Sequence, residues 1–200
     1  MPRGATKQFD RTEVLDRAMQ LFWEKGYEAT GLSELTQRMG IGRQSLYDTF
    51  GDKRSLFLEA LDHYAGTRMS RVSDLLKAPG SPLRNIRRVL AFYEQHCTSG
   101  NGLGCLIVNT MAESGGMDQS FEHPLKSKMK GIESMFREAF DNAKEAGEIE
   151  EDADTLALAR AMCALAWGVT LMGRVGASKA MVRDAIRMNM RIIDSVLVGE

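Results

Sequence analysis

The sequence predicts an all-α protein: an N-terminal three-helix domain with a helix-turn-helix, followed by a C-terminal helical bundle. Three observations carry this. Apolar residues recur at i, i+3, i+4 and i+7 along most of the chain, which is helical rather than strand spacing. Glycine and proline, which interrupt helices, fall between those stretches, at Gly26, Gly40, Ala78–Pro82, Ser99–Gly102, Ser114–Gly116 and Gly147. Finally, 200 residues with 44% hydrophobic and 26% charged content suit one or two small domains with a real core. No internal repeat at a period of roughly 20–50 residues is present.

In chain order, the first helix runs from about Arg11 to Lys25, with Asp10 as N-cap, an apolar stripe of Val14, Leu15, Ala18, Leu21 and Phe22, and Gly26 as its end. Thr30 is a candidate N-cap for a second, two-turn helix whose Leu32, Leu35 and Met39 share one face. Gly40 ends it, because glycine tolerates the positive φ of a sharp turn. A third helix starts near Gly42 and buries Leu46 and Phe50. Its other residues, Arg43, Gln44, Ser45, Tyr47 and Thr49, are polar and face outward. Such a donor-rich second helix suits the major groove, where arginine reads guanine and glutamine reads adenine.

Gly26–Tyr27, Thr30, Leu35, Gly40–Ile41, Leu46–Tyr47, Phe50, Asp52–Lys53 and Leu56 together resemble the N-terminal domain of TetR-type transcriptional regulators. The resemblance covers residues 10 to 57. It implies that the third helix reads operator DNA, that Tyr47 and Lys53 touch phosphates, and that a C-terminal domain dimerises and binds an inducer. Asp48–Thr49 departs from the family, whose members often carry aromatic or histidine residues there. The candidate DNA-contacting set is Thr30, Gly42, Arg43, Gln44, Ser45, Tyr47, Thr49 and Lys53, in a domain of residues 1–56.

Charge adds little to this reading. The net charge is −1, and residues 1–56 hold nine basic against eight acidic side chains. A groove-reading dimer works with that balance if a few cations sit at the phosphate-facing edge. The start, MPRGATKQF, has no apolar run behind it, and no stretch reaches the ~18 uninterrupted apolar residues of a membrane span. A cytoplasmic protein without membrane contact is expected, and its thiols are expected to be reduced.

The remaining chain, residues 57–200, is read as the ligand-binding and dimerisation domain. Asp52 caps a long helix from about Lys53 to Lys77, a mechanical link between the domains, and Ala78–Pro82 breaks it. Helices follow over about 83–97, 105–113, 120–146, 155–175 and 179–198, giving about nine in all. The last carries two apolar stripes, one with Val182, Ile186, Met190, Ile193 and Leu197, the other with Met181, Ala185, Met188, Ile192 and Val196. One stripe packs on its own domain and the second needs a partner, so a two-fold homodimer is expected. Met162, Val169, Ile186, Met190, Ile193 and Leu197 are its candidate residues.

The turn Gly100–Gly104 is not a phosphate loop, since no strand precedes it and its glycine spacing is wrong. His63, His96 and His123 lack metal-ligand spacing, and no nucleophile motif is present, so no metal, cofactor or catalytic residue is assigned. Thirteen methionines include several on inward helix faces. Phe92, Tyr93, His96, Cys105, Met111, Met135, Phe136, Met162 and Trp167 form a candidate pocket for a small apolar or aromatic inducer. Cys97 and Cys105 flank the glycine turn and are redox candidates, Cys105 the more reactive at a helix start. The expected function is a one-component, dimeric, DNA-binding repressor released by a ligand or thiol event. The alternative is an all-helical enzyme or small-molecule binding protein without a DNA role.

Overall fold

A computed structural model of the chain describes residues 9–67, 69–99, 102–113, 115 and 119–198. Arg3, Lys7, Gly100, Asn101, Ser114 and Gly116, which enter the sequence reading, lie outside the described residues. Among the described residues there are ten α-helices: α1 (Arg11–Lys25), α2 (Leu32–Met39), α3 (Arg43–Phe50), α4 (Lys53–Thr67), α5 (Ser70–Leu76), α6 (Pro82–Ser99), α7 (Leu106–Glu113), α8 (Glu122–Glu145), α9 (Thr155–Arg174) and α10 (Lys179–Asp194). A 3-10 turn at Gln119–Phe121 leads into α8. Among the described residues there is no strand, only an antiparallel bridge between Ile149 and Leu197.

Contacts within the chain divide it into two compact units, residues 1–67 and 68–200. In the first, α1 is capped by Asp10, whose carboxylate accepts from the Thr12 and Glu13 amides. Its apolar face, with Ala18, Met19, Leu21 and Phe22 fully buried, packs on α2 and α4. Phe57 stands edge-on to Phe22 at 4.9 Å, and Tyr64 edge-on to Trp23 at 5.2 Å. These rings tie α4 to α1, whereas the sequence reading assigns residues beyond 56 to the second domain.

The expected helix over 53–77 is two helices. Helix α4 ends at Thr67 and α5 begins at Ser70. Gly66 and the β-branched Thr67 are poor helix formers, which favours an end to α4 here.

In the second unit α9 is the central helix, packed by α6, α8 and α10. Its length and composition would suffice to cross a membrane, alone in this among the described residues. Here the apolar surface goes into a core: Leu158, Ala159, Met162, Cys163, Leu165, Ala166 and Val169 are buried. Asp154 and Ser178 cap α9 and α10 through their side chains. The approach of α6 to α9 depends on Gly173, where a Cβ would lie 3.2 Å from Cys97. A second close approach is at Gly104 (φ +65°), where a Cβ would meet the Thr170 carbonyl at 2.9 Å.

Candidate nucleic-acid interface

The turn between α2 and α3 is made by Gly40, in the left-handed conformation at φ 71°, whose amide donates back to the Thr36 and Gln37 carbonyls. Helix α3 then buries Leu46 and Phe50 at 0% and 3% exposure. Two apolar anchors one turn apart fix its rotation. Consequently Arg43, Gln44, Tyr47 and Asp48 all face solvent, as two rows of i, i+4 neighbours, with Ser45 and Thr49 half-buried on the flank. Within the face, Gln44 Nε2 donates to Asp48 Oδ1 at 2.8 Å. Gly42 is the exposed N-cap of α3 and supplies no side-chain acceptor to the first turn.

Lys53 opens α4. Its ammonium lies 4.3 Å from the centroid of the Tyr27 ring, a cation–π contact. Tyr27 is itself held against Phe57, with centroids 4.8 Å apart. Burial over the ring draws the Lys53 pKa below its ordinary value, and Glu28 opposes the shift. Asp52 caps α4, accepting from the Ser55 amide at 2.6 Å. That amide and the Ser55 hydroxyl hold the Asp52 carboxyl below its ordinary range.

The other cations of this unit are largely committed to acids. Arg11 pairs with Glu59, Arg17 with Glu13, Lys25 with Glu34 and Arg38 with Glu24. Among the described residues neither Arg43 nor Lys53 forms an ion pair: Arg43 is exposed, and Lys53 stands over the Tyr27 ring. A near-neutral domain thus offers its cations selectively, which a count of charges misses.

Thr30 requires a correction. Gly31, not Thr30, occupies the N-cap of α2, and Thr30 is 0% exposed with its hydroxyl donating to the Gly26 carbonyl at 2.6 Å. The side chain closes the α1–α2 turn and has no surface to give to a ligand. Two further residues touch the candidate set: Tyr27, beneath Lys53, and Asp48, bonded to Gln44. The i, i+4 spacing of glutamine and aspartate was the available signal for the second.

The candidate residues of the second unit are spread through it. Tyr93, Phe136 and Met162 are core residues, with Phe92, Met135 and Trp167 packed against that core. His96 is exposed and stacks on Phe92 at 5.6 Å. Met111 is half-buried, and Cys105 is buried just ahead of α7. Met135 also lines a surface cleft with Leu76, Lys77 and Asn142, and the cleft includes no other member of the predicted pocket. Among the described residues three side-chain polar atoms, Arg87 Nε, Trp167 Nε1 and Asn109 Oδ1, are buried without a hydrogen-bond partner.

The thiols gather around Tyr93. Burial first, then Cys105, Cys163 and Cys97, hold its phenol far above the ordinary range. Burial and then Cys105 push the Cys97 thiol up to about 11, and burial and then Glu133 push Cys163 up to about 12. Of the candidate dimer residues, Met162, Val169, Ile186 and Ile193 are buried in the core of their own chain, and Met190 and Leu197 are half-buried against it. The outward stripe of α10 is the other one, Met181, Met188 and Ile192, at 56%, 53% and 45% exposure.

Comparison with known proteins agrees with this architecture at both ends of the chain. The profile of bacterial regulatory proteins of the tetR family matches residues 14–60, and that of the tetracyclin repressor-like C-terminal domain matches residues 82–189. The HTH-type transcriptional regulator YezE of Bacillus subtilis is 33% identical over 96% of this chain and 100% of its own length. The repressor ComR of Escherichia coli is 30% identical over 88% of this chain and 85% of its own. Among solved structures, a cysteine mutant of the TetR family regulator CifR, complexed with 26-bp operator DNA, superposes with a TM-score of 0.80 at 29% identity, covering 92% of this chain and 98% of that one. The chain belongs to the TetR family of bacterial regulatory proteins and is a DNA-binding transcriptional regulator.

Proposed function

We propose that this regulator is a repressor that binds a near-palindromic operator as a homodimer. The observation that carries the reading is the outward face of α3, where Arg43, Gln44, Tyr47 and Asp48 are exposed over buried Leu46 and Phe50. Arg43 and Gln44 meet base edges, Ser45 and Thr49 flank them, and Tyr47, Lys53 and the uncapped first turn at Gly42 meet phosphates. The operator complex of CifR supports this assignment. The partner copy is taken up through Met181, Met188 and Ile192, whose exposed apolar surface gains by leaving water.

The signal is a small apolar or aromatic ligand bound in the second unit. Unpartnered Trp167 Nε1 and Asn109 Oδ1 favour a ligand that carries a hydrogen-bond acceptor and a donor on that frame. Of the predicted pocket, Phe92, Tyr93, Met111, Met135, Phe136 and Met162 supply apolar walls and His96 a polar edge. Cys105, with Cys97 as resolving partner, offers a thiol route to the same release, supported by the shared neighbourhood of the two thiols and Tyr93. Either event acts on DNA by changing the spacing of the two reading heads.

Binding of a labelled operator duplex, measured by anisotropy, tests this reading. The wild type binds as a dimer, and a ligand that shifts Trp167 fluorescence in a Trp23→Phe background releases it. Release by mild peroxide or a quinone that persists in Cys105→Ser would remove the thiol route and leave the ligand.

A further inference from the structure

Asp48 is an acid on the outward face of α3, and the structure gives it a partner. Gln44 Nε2 donates to Asp48 Oδ1 at 2.8 Å, one helical turn away on the outward face of α3. Resting on the assignment of α3 as the reading helix, we propose that Asp48 is a specificity-determining positioning residue: it fixes the Gln44 amide so that the pair reads adenine at one base pair of each half-site.

A glutamine amide carries an acceptor and a donor that exchange places when its terminal torsion turns over. A free glutamine can therefore present either edge to the groove, which blurs its choice of base. A carboxylate only accepts, so the amide nitrogen must face Asp48, and the flipped amide would set oxygen against oxygen. One N–H is used on Asp48. Oε1 and the second N–H remain, and they match the N6 amino donor and N7 acceptor of adenine. Guanine presents two acceptors, O6 and N7, so the fixed Oε1 would face an acceptor.

The acid also explains its own cost. A negative charge beside the phosphate backbone weakens binding to every sequence alike, while the fixed amide acts at one base pair only. The two effects separate in an experiment.

DNA selected from a random pool by the wild type should contain a base pair whose identity is lost on selection with Gln44→Ala. On that operator, Asp48→Ala should bind non-specific duplex more tightly and discriminate adenine from guanine about tenfold less at the same base pair. Asp48→Asn, which can accept or donate, should lose the discrimination as well, and Asp48→Glu, which only accepts, should keep it. Unchanged thermal melting keeps these effects on the reading face. Full adenine preference in Asp48→Ala and Asp48→Asn would overturn the proposal, as would a change at a different base pair, which would make Asp48 a reader in its own right. Enrichment of no sequence by the wild type would overturn the assignment of α3 itself, and the proposal with it.

Discussion

Helices α3 and α10 share a plan and differ on the side turned away from their own unit. Helix α3 buries Leu46 and Phe50, and α10 buries Val182, Ile186 and Ile193. Outward, α3 shows Arg43, Gln44, Tyr47 and Asp48, whereas α10 shows Met181, Met188 and Ile192. Hydrophobic burial fixes both inner faces in the same way, so the inner faces say nothing of function. The outer faces carry it: donors and acceptors at α3 suit a polyanion with readable base edges, and bare apolar side chains at α10 suit a second copy of the same surface.

Two adjacent residues of α10 should respond in opposite ways to the same substitution. Ile193 is 1% exposed and Ile192 is 45% exposed. An aspartate at 193 buries an unpaired charge and should cost on the order of 5 kcal/mol, enough to unfold the second unit. Ile192→Asp should stay folded and sediment as a monomer with greatly weakened operator binding. A folded dimer from Ile192→Asp would place the interface elsewhere.

On α3 the same contrast should appear with smaller effects. Leu46→Ala should destabilise by about 2–5 kcal/mol in thermal melts. Gln44→Ala should leave stability within about 0.5 kcal/mol, while losing about 1–3 kcal/mol of preference at one base pair. Uniform loss on all operator variants would remove Gln44 from base reading.

Lys53→Ala should weaken binding to every sequence and flatten the log–log salt slope by about one unit. An unchanged slope would take the phosphate away from Lys53. The smallest effect is expected at the neighbouring cap: Asp52→Ala should cost about 1 kcal/mol of stability at neutral pH. Because the folded state depresses the Asp52 carboxyl, its contribution is present above the ordinary value of 3.8 and is lost as pH falls through the lower folded value. The gap between wild type and Asp52→Ala in melts should therefore close in acid.

How far these features were legible depends on how locally each is determined. Most of the first three helices follows from neighbours in sequence: Asp10 caps its own first turn, Gly40 supplies the left-handed residue, and Leu46 and Phe50 orient α3. Thr30 misleads because a threonine hydroxyl serves equally as a cap acceptor or as a donor to a buried carbonyl, and the chain does not say which. The break after Thr67 is hidden because the apolar spacing resumes in α5 at Val72 and Leu76. On α10 both stripes are visible in the sequence, but only packing by α6 and α9 decides which turns inward. The candidate pocket draws on α6, α7, α8 and α9, so its shape is a tertiary property with no local signature.

The most direct measurement is selection of duplex DNA from a random pool by the purified wild-type protein, with sedimentation of the complex. Two copies of the chain should be recovered on an inverted repeat whose half-site centres lie about one helical turn, roughly 34–36 Å, or a multiple of it apart. Enrichment of a single unpaired half-site by a monomer, or of no sequence at all, would contradict this expectation.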